Sequence, residues 1–148
     1  KELPIELEPY RIAIPPEKMH EVMASASLLY GESATMASES AMLGVPAIYI
    51  DNDGRSYTDE EESKYGIVFN FKESKADIEK SIRKGAEILG SKADFKRNQE
   101  RILNEKLCFT DYLEWVVKNF PASIEKLKRD SGYQDRFIVP TQKNVVQS

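Results

Sequence analysis

Residues 31–50, GESATMASESAMLGVPAIYI, form the stretch that decides the fold of this 148-residue chain. An apolar run over residues 27–30 meets Gly31, and a helix-compatible segment follows as far as Gly44. Residues 46–50 are continuously apolar, which is typical of a buried strand. A strand, a turn, a helix and a second strand in this order predict a βαβ unit, whose two strands lie parallel in one sheet.

The helix of this unit has clear start and end signals. Ser33 is a typical N-cap residue, because its hydroxyl can accept a hydrogen bond from an N–H two or three residues on. Gly44 stands where a left-handed residue commonly ends a helix. Ala34, Ala37 and Ala41 share one face, so we expect this small face to lie close on the sheet.

The turn that precedes this helix is the expected ligand site. Parallel sheets bind ligands at the carboxyl ends of their strands, where helix N–H groups converge on anions. Glu39 stands about one turn inside the helix. Its carboxylate is poorly suited to phosphate, but it is well suited to accept two hydrogen bonds from a ribose diol.

The chain as a whole predicts a Rossmann-like α/β domain followed by a helical extension. The expected strands are residues 11–14, 27–30, 46–50 and 67–71, a parallel sheet of about four strands with flanking helices. The expected division is an irregular lead-in over residues 1–10, the α/β domain over 11–91, the extension over 92–129 and a loose tail over 130–148.

Helical spacing predicts which side chains face the core. Thr58 is expected to cap a short helix whose acids, residues 59–62, form a solvated face. Ser74 is expected to cap a longer helix that ends at Gly90 and buries Ile78, Ile82, Ala86 and Leu89. In the extension, the residues expected to point inward are Phe95, Ile102, Leu103, Leu113, Val116, Val117 and Phe120. We interpret Tyr112 and Trp115 as packing residues rather than as a platform for a base.

Composition excludes several classes of function. The net charge of -4 gives no general attraction for nucleic acid or anionic membranes. The single cysteine, Cys108, excludes an intrachain disulfide and fits a reducing, cytoplasmic location. No apolar run reaches the length of roughly 20 residues that a membrane helix needs. Neither a metal nor a cofactor is predicted, because one cysteine and one histidine do not make a conventional zinc site.

Two further side chains are candidates for contacts in a cleft. His20 follows a pair of prolines and lies near the turn after the first strand, as a substrate contact or as a surface histidine. Arg55 follows residues 51–54, DNDG, at the end of a predicted strand. This sequence lacks the ligand spacing of an EF-hand, so we interpret it as a polar turn from which Arg55 can enter a cleft.

These residues resemble the C-terminal domain of GT-B glycosyltransferase-fold proteins. The similarity lies in Gly31 and the following ESATMASE, and in LGVP at the helix end. Similar elements occur in UDP-N-acetylglucosamine 2-epimerases and in the N-acetylglucosaminyltransferase that makes lipid II. The closer resemblance is to a GT-B-like bacterial and archaeal family, a domain of unknown function, which also shares PEKMH at residues 16–20 and EESKYG at residues 61–66. It covers residues 10–72 well and the remainder in layout.

The resemblance implies a nucleotide-sugar site, with a UDP-sugar as the expected ligand. Backbone N–H groups near Ser33, Ala34 and Thr35, after Gly31, would hold the diphosphate, and Glu39 would bind the ribose. It also implies that a second, N-terminal Rossmann-like domain completes the cleft, so that this chain alone would be an inactive fragment. No catalytic residue is assigned. The alternative is a non-catalytic α/β interaction module that acts through a homodimer or a larger complex.

Overall fold

The computed structural model describes residues 3–91 and 93–138. Within them the strands are β1 (Leu29–Gly31), β2 (Ala47–Ile50) and β3 (Val68–Phe71). The helices are α1 (Met19–Ala24), α2 (Ala34–Met42), α3 (Ser56–Glu60), α4 (Lys75–Gly90), α5 (Lys96–Glu105), α6 (Phe109–Lys118) and α7 (Ala122–Arg129). A π-helical turn, Glu61–Tyr65, continues α3, and 3₁₀ helices cover Ile5–Tyr10, Pro16–Lys18 and Ser131–Phe137. No helix of the described part is long and apolar enough to cross a membrane.

The three strands form one parallel sheet in the order β1-β2-β3. The predicted parallel α/β architecture is therefore confirmed, but the sheet has three described strands instead of the expected four. Residues 11–14 are largely exposed and pair with no strand of the described chain. Ile12, for example, is 68% exposed. A strand gains stability from packing against neighbours, and this segment has no such packing.

The central strand β2 is buried along its whole length because helices cover both faces of the sheet. Ala47 and Tyr49 belong to the cluster formed with α2, the π turn and α5. Ile48 points to the opposite face, where its Cδ1 lies 3.3 Å from the position that a Cβ on Gly85 of α4 would occupy. Successive side chains of a strand alternate in this way, so a single strand serves both layers.

The expected signals of α2 are confirmed. Ser33 has an extended backbone, and its Oγ accepts a hydrogen bond from the Met36 N–H at 3.3 Å. Ala37 and Ala41 are 1% and 0% exposed, as a small face on a sheet requires. Gly44 has a φ of 81°, in the left-handed region where glycine is favoured.

The buried face of α4 differs from the predicted one. Ser81, Gly85 and Ile88 are buried, whereas Ile82 and Leu89 are 58% and 59% exposed. The predicted face followed the larger apolar residues. The helix instead turns Gly85 toward the sheet, because the missing side chain allows close approach to β2. A 2.7 Å hydrogen bond between the Ser81 and Tyr30 hydroxyls fixes the same face.

The helical extension is attached to the sheet through α5, where Ile102 is 1% exposed. Phe95 packs edge-on against Phe69, with ring centroids 6.5 Å apart, so these expected anchors are confirmed. The inward face predicted for α6 is wrong. Phe120, Val117 and Leu113 are 71%, 67% and 46% exposed, because no described element covers that side of the helix.

The other side of α6 contacts the segment that was expected to be a loose tail. Trp115 lies against Tyr133 and Phe137, with ring centroids 4.8 Å and 5.6 Å away, which supports its interpretation as a packing residue. Ser131–Phe137 is therefore an ordered 3₁₀ helix. Residues 139–148, the rest of the predicted tail, lie outside the described residues.

Candidate functional site

The candidate site lies at the carboxyl edge of the sheet, where all three parallel strands end. β1 ends at Gly31 and leads into α2, β2 ends at Ile50 before a polar turn, and β3 ends at Phe71 before α4. Ligands of parallel sheets bind at this edge. The turn before α2 and the turn after β2 therefore define two neighbouring parts of one edge.

The N-terminus of α2 presents free backbone donors. The N–H groups of Met36 and Ala37 are engaged by the Ser33 side chain and the Ser33 carbonyl. Those of Ala34 and Thr35 have no acceptor within the described chain. Ser33 and Thr35 are exposed, so their hydroxyls are accessible as well. This helix end can donate several hydrogen bonds to an anion.

Gly31 borders open space. No neighbouring atom lies within 4 Å of the position that a Cβ on Gly31 would occupy. The glycine is thus not required by packing inside the chain. Space at this position leaves room for a ligand in front of the helix N-terminus.

The structure brings two predicted site residues together. His20 of α1 and Glu39 of α2 form a pair, with Nε2 and Oε2 3.2 Å apart. The two side chains are 67% and 41% exposed, so the pair contributes at most about 1 kcal/mol to stability. Glu39 Oε1 accepts no hydrogen bond from the described residues. His20 is therefore an exposed histidine that contacts Glu39, another of the predicted site residues.

Arg55 makes its contacts within its own turn. Its Nη1 donates to the Gly54 carbonyl at 2.6 Å, and its Nη2 lies 4.0 Å from Asp51 Oδ2. Asp51 also accepts from the Tyr49 hydroxyl at 2.6 Å and from the Asp53 N–H at 2.8 Å. The polar turn predicted for residues 51–54 is confirmed, with Asp51 as its hydrogen-bonded centre.

The hydrogen bond between Tyr49 and Asp51 raises the pKa of the tyrosine and lowers the pKa of the aspartate. It is the largest cause of an Asp51 pKa below the usual aspartate value. Burial, followed by the same bond, raises the pKa of Tyr49 to about 12. Asp51 is therefore a persistent anion near neutral pH and Tyr49 a persistent donor.

An open cleft of about 550 Å³ lies beside this turn. Its lining holds more acidic than basic side chains, with polar residues Asp51, Asn52, Asp53, Asp59, Asn70, Lys72, Asp77 and Lys80. Lys80 is paired with Asp77 at 2.9 Å, so part of the basic charge is already neutralised. Across the described chain, no three acidic, histidine or cysteine side chains come together in a way that could hold a metal ion.

Glu61 is a buried acid that sequence reasoning missed. It was expected on a solvated face, but it is only 7% exposed. The helix also begins earlier than expected, at Ser56, and Thr58 is buried inside it. Thr58, Glu61 and Tyr65 recur at three- and four-residue steps, so this spacing was the available signal for one buried face.

Comparisons of the chain with protein-family models, with curated proteins and with solved structures gave no match. The structural evidence about function therefore comes from the side chains and backbone groups at the carboxyl edge of the sheet.

Proposed function

We propose that this chain is the nucleotide-sugar-binding half of a GT-B-type glycosyltransferase or 2-epimerase-like protein, with a UDP-sugar as ligand. The observation that supports this function is the arrangement on α2. Within the described chain the N–H groups of Ala34 and Thr35, at the start of α2, have no acceptor, and Glu39 follows about one turn later beside His20. Backbone donors suit a diphosphate, and a carboxylate with a free oxygen suits a ribose diol.

The proposed diphosphate contacts are the Ala34 and Thr35 N–H groups together with two hydroxyls. Ser33 Oγ accepts from Met36, which leaves its own proton free for a phosphate oxygen. Thr35 adds a second hydroxyl. Glu32 is the unfavourable neighbour, but it is exposed and can direct its carboxylate into solvent.

The chemistry proposed for α2 is stabilisation of charge. In a transferase, the helix N-terminus stabilises the negative charge that develops on the departing nucleoside diphosphate. In this proposal the acceptor site and the catalytic base belong to a facing Rossmann-like domain. No residue of this chain is assigned to the bond-making step.

The test is a two-dimensional NMR titration of the chain with UDP. We expect shifts confined to residues 31–39, and weaker binding in Glu39→Ala. The matched control is Glu79→Ala, which changes an exposed glutamate of α4 that forms no ion pair within the described residues. His20 is the sole histidine of the sequence, so its imidazole signals directly report ligand near Glu39.

Two results would contradict the proposal in different ways. Equal UDP affinity in Glu39→Ala and wild type would remove Glu39 from the site. An absence of shifts at millimolar UDP would exclude uridine-nucleotide binding by this chain alone. In that case, the same titration on a protein that includes the facing domain decides whether the site exists.

A second candidate function is a non-catalytic interaction module that acts through a dimer or complex interface. The observation that favours it is the exposed apolar side of α6, formed by Phe109, Leu113, Val117 and Phe120. Exposed apolar patches of this kind commonly mark interfaces. Sedimentation of wild type and Val117→Lys at several concentrations tests it, because only an interface on α6 predicts association that the lysine abolishes.

A further inference from the structure

Glu61 is a buried carboxyl group at the contact between the π turn and α2. Ser38 Oγ donates to Glu61 Oε1 at 2.5 Å. Glu61 Oε2 is shielded from solvent and has no hydrogen-bond partner within the described chain. An ionised carboxylate offers about four acceptor sites. Most of that capacity is unused here, and an ionised form would therefore be poorly stabilised.

The surrounding charges do not compensate for this burial. Lys106, which follows α5, favours the anion from a distance, but its ammonium is already 2.6 Å from Glu60 Oε2. Glu60 itself opposes the anion, and among the described residues α2 contributes only the Ser38 hydroxyl. The strand β3 adds no titratable side chain, since its sequence is VFNF.

The balance of these effects favours the neutral acid. Burial is the largest influence and raises the pKa of Glu61 above its usual value. The Ser38 hydrogen bond and the charge of Lys106 act in the opposite direction but are smaller. Geometry and electrostatics thus agree that protonation stabilises this contact.

We propose that Glu61 is a proton-dependent clamp: its neutral carboxyl remains buried between the π turn and α2, and ionisation weakens this packing because the shielded Oε2 has no partner for a negative charge within the described chain. Ser38 immediately precedes Glu39, so the clamp acts on the helix that carries the candidate site. The π-helical geometry at Glu61 agrees with such a role, since single π turns are frequent at functional sites. The clamp does not depend on which ligand the site binds.

The direction of the pH effect follows from linkage. A carboxyl whose pKa is raised by folding stabilises the native state below the ordinary glutamate pKa, about 4.3. That stabilisation is lost as the pH rises through the higher native pKa. Within this window, the unfolding constant of wild type should rise up to about tenfold per pH unit relative to that of Glu61→Gln.

The experiment combines urea unfolding of the full chain over a pH series with direct titration of the carboxyl groups. Unfolding is measured for wild type, Glu61→Gln and the exposed control Glu79→Gln. The Glu61 side-chain ¹³C signal is assigned by its loss in Glu61→Gln. We expect this signal to titrate above the other glutamates, and the control to follow wild type. Ser38→Ala should retain the pH dependence, and Ser38→Ala combined with Glu61→Gln should lack it.

Two outcomes would overturn the clamp. The first is a Glu61 signal that titrates with the exposed glutamates, and the second is a constant stability difference between wild type and Glu61→Gln at every pH. If Glu61→Gln does not fold, the carbon titration of wild type decides, with the Glu61 signal then assigned through the neighbouring backbone.

Discussion

Gly44→Ala is the substitution whose effect follows most directly from the structure. Gly44 ends α2 with a φ of 81°, and an added Cβ would lie 2.8 Å from Gln99 Oε1. The Gln99 side chain also forms a hydrogen bond, because its Nε2 donates to the Met42 carbonyl at 2.7 Å. Alanine therefore introduces backbone strain and displaces a side chain that stabilises the end of the helix.

The two costs add to a measurable loss. A left-handed backbone costs a non-glycine residue about 1–2 kcal/mol. Displacing Gln99 loses a hydrogen bond worth about 0.5–1.5 kcal/mol, of which water recovers part because the bond is exposed. The expected total is about 2–3 kcal/mol, which corresponds to a fall in Tm of roughly 5–10 °C for a chain of this size.

The assay is urea and thermal unfolding followed by circular dichroism. Gly90→Ala is the matched control, because Gly90 is helical, has no positive φ and would place its Cβ in open space. We expect that control to stabilise the chain by up to about 1 kcal/mol. In a Gln99→Ala background the hydrogen bond is already absent, so Gly44→Ala should there cost only the backbone strain of about 1–2 kcal/mol.

The reasoning would be refuted if Gly44→Ala were as stable as Gly90→Ala. If Gly44→Ala cost as much in the Gln99→Ala background as in wild type, the steric part of the account would be wrong and only the backbone strain would remain.

Three further predictions concern the core, the sheet edge and acid stability. Ile102→Ala should lower the free energy of unfolding, measured by urea titration, by about 2–5 kcal/mol because Ile102 is 1% exposed. The control Ile82→Ala, at a 58% exposed site, should change it by no more than about 0.5 kcal/mol. The Glu62 carboxylate accepts from the N–H and Nδ2 of Asn70, on edge strand β3. Glu62→Ala should therefore expose that edge and increase self-association in sedimentation experiments, and unchanged sedimentation would contradict this role. Asp51, with its lowered pKa, stabilises the fold above the ordinary aspartate pKa of about 3.9, and this contribution is lost as the pH falls through its native pKa. Asp51→Asn should be less sensitive to acid than wild type in urea midpoints measured at decreasing pH, and parallel curves would argue against it.

Local sequence signals predicted the central unit of the fold well. The Ser33 cap, the left-handed Gly44 and the alanine face of α2 depend on residues within a few positions of each other. Such signals act through the backbone itself, so they operate before the rest of the chain packs. The parallel βαβ unit followed from their order.

Faces of helices were harder to predict, because burial depends on what lies opposite. α4 packs its small residues against the sheet and leaves large apolar ones exposed, since Gly85 permits close approach to the sheet. Leu113 and Val117 are exposed because no described element covers their side of α6. Apolar spacing alone could not distinguish these cases from a buried face.

The sequence by itself determined the parallel α/β unit, its turn before α2 and the candidate residues on that turn, because caps, glycines and apolar runs are local. Only the tertiary structure decided that His20 reaches Glu39 across two helices and that Glu61 is buried against Ser38. Both contacts join residues that are distant along the chain. Their formation depends on how helices dock on the sheet, and docking is set by the packing of all neighbours together.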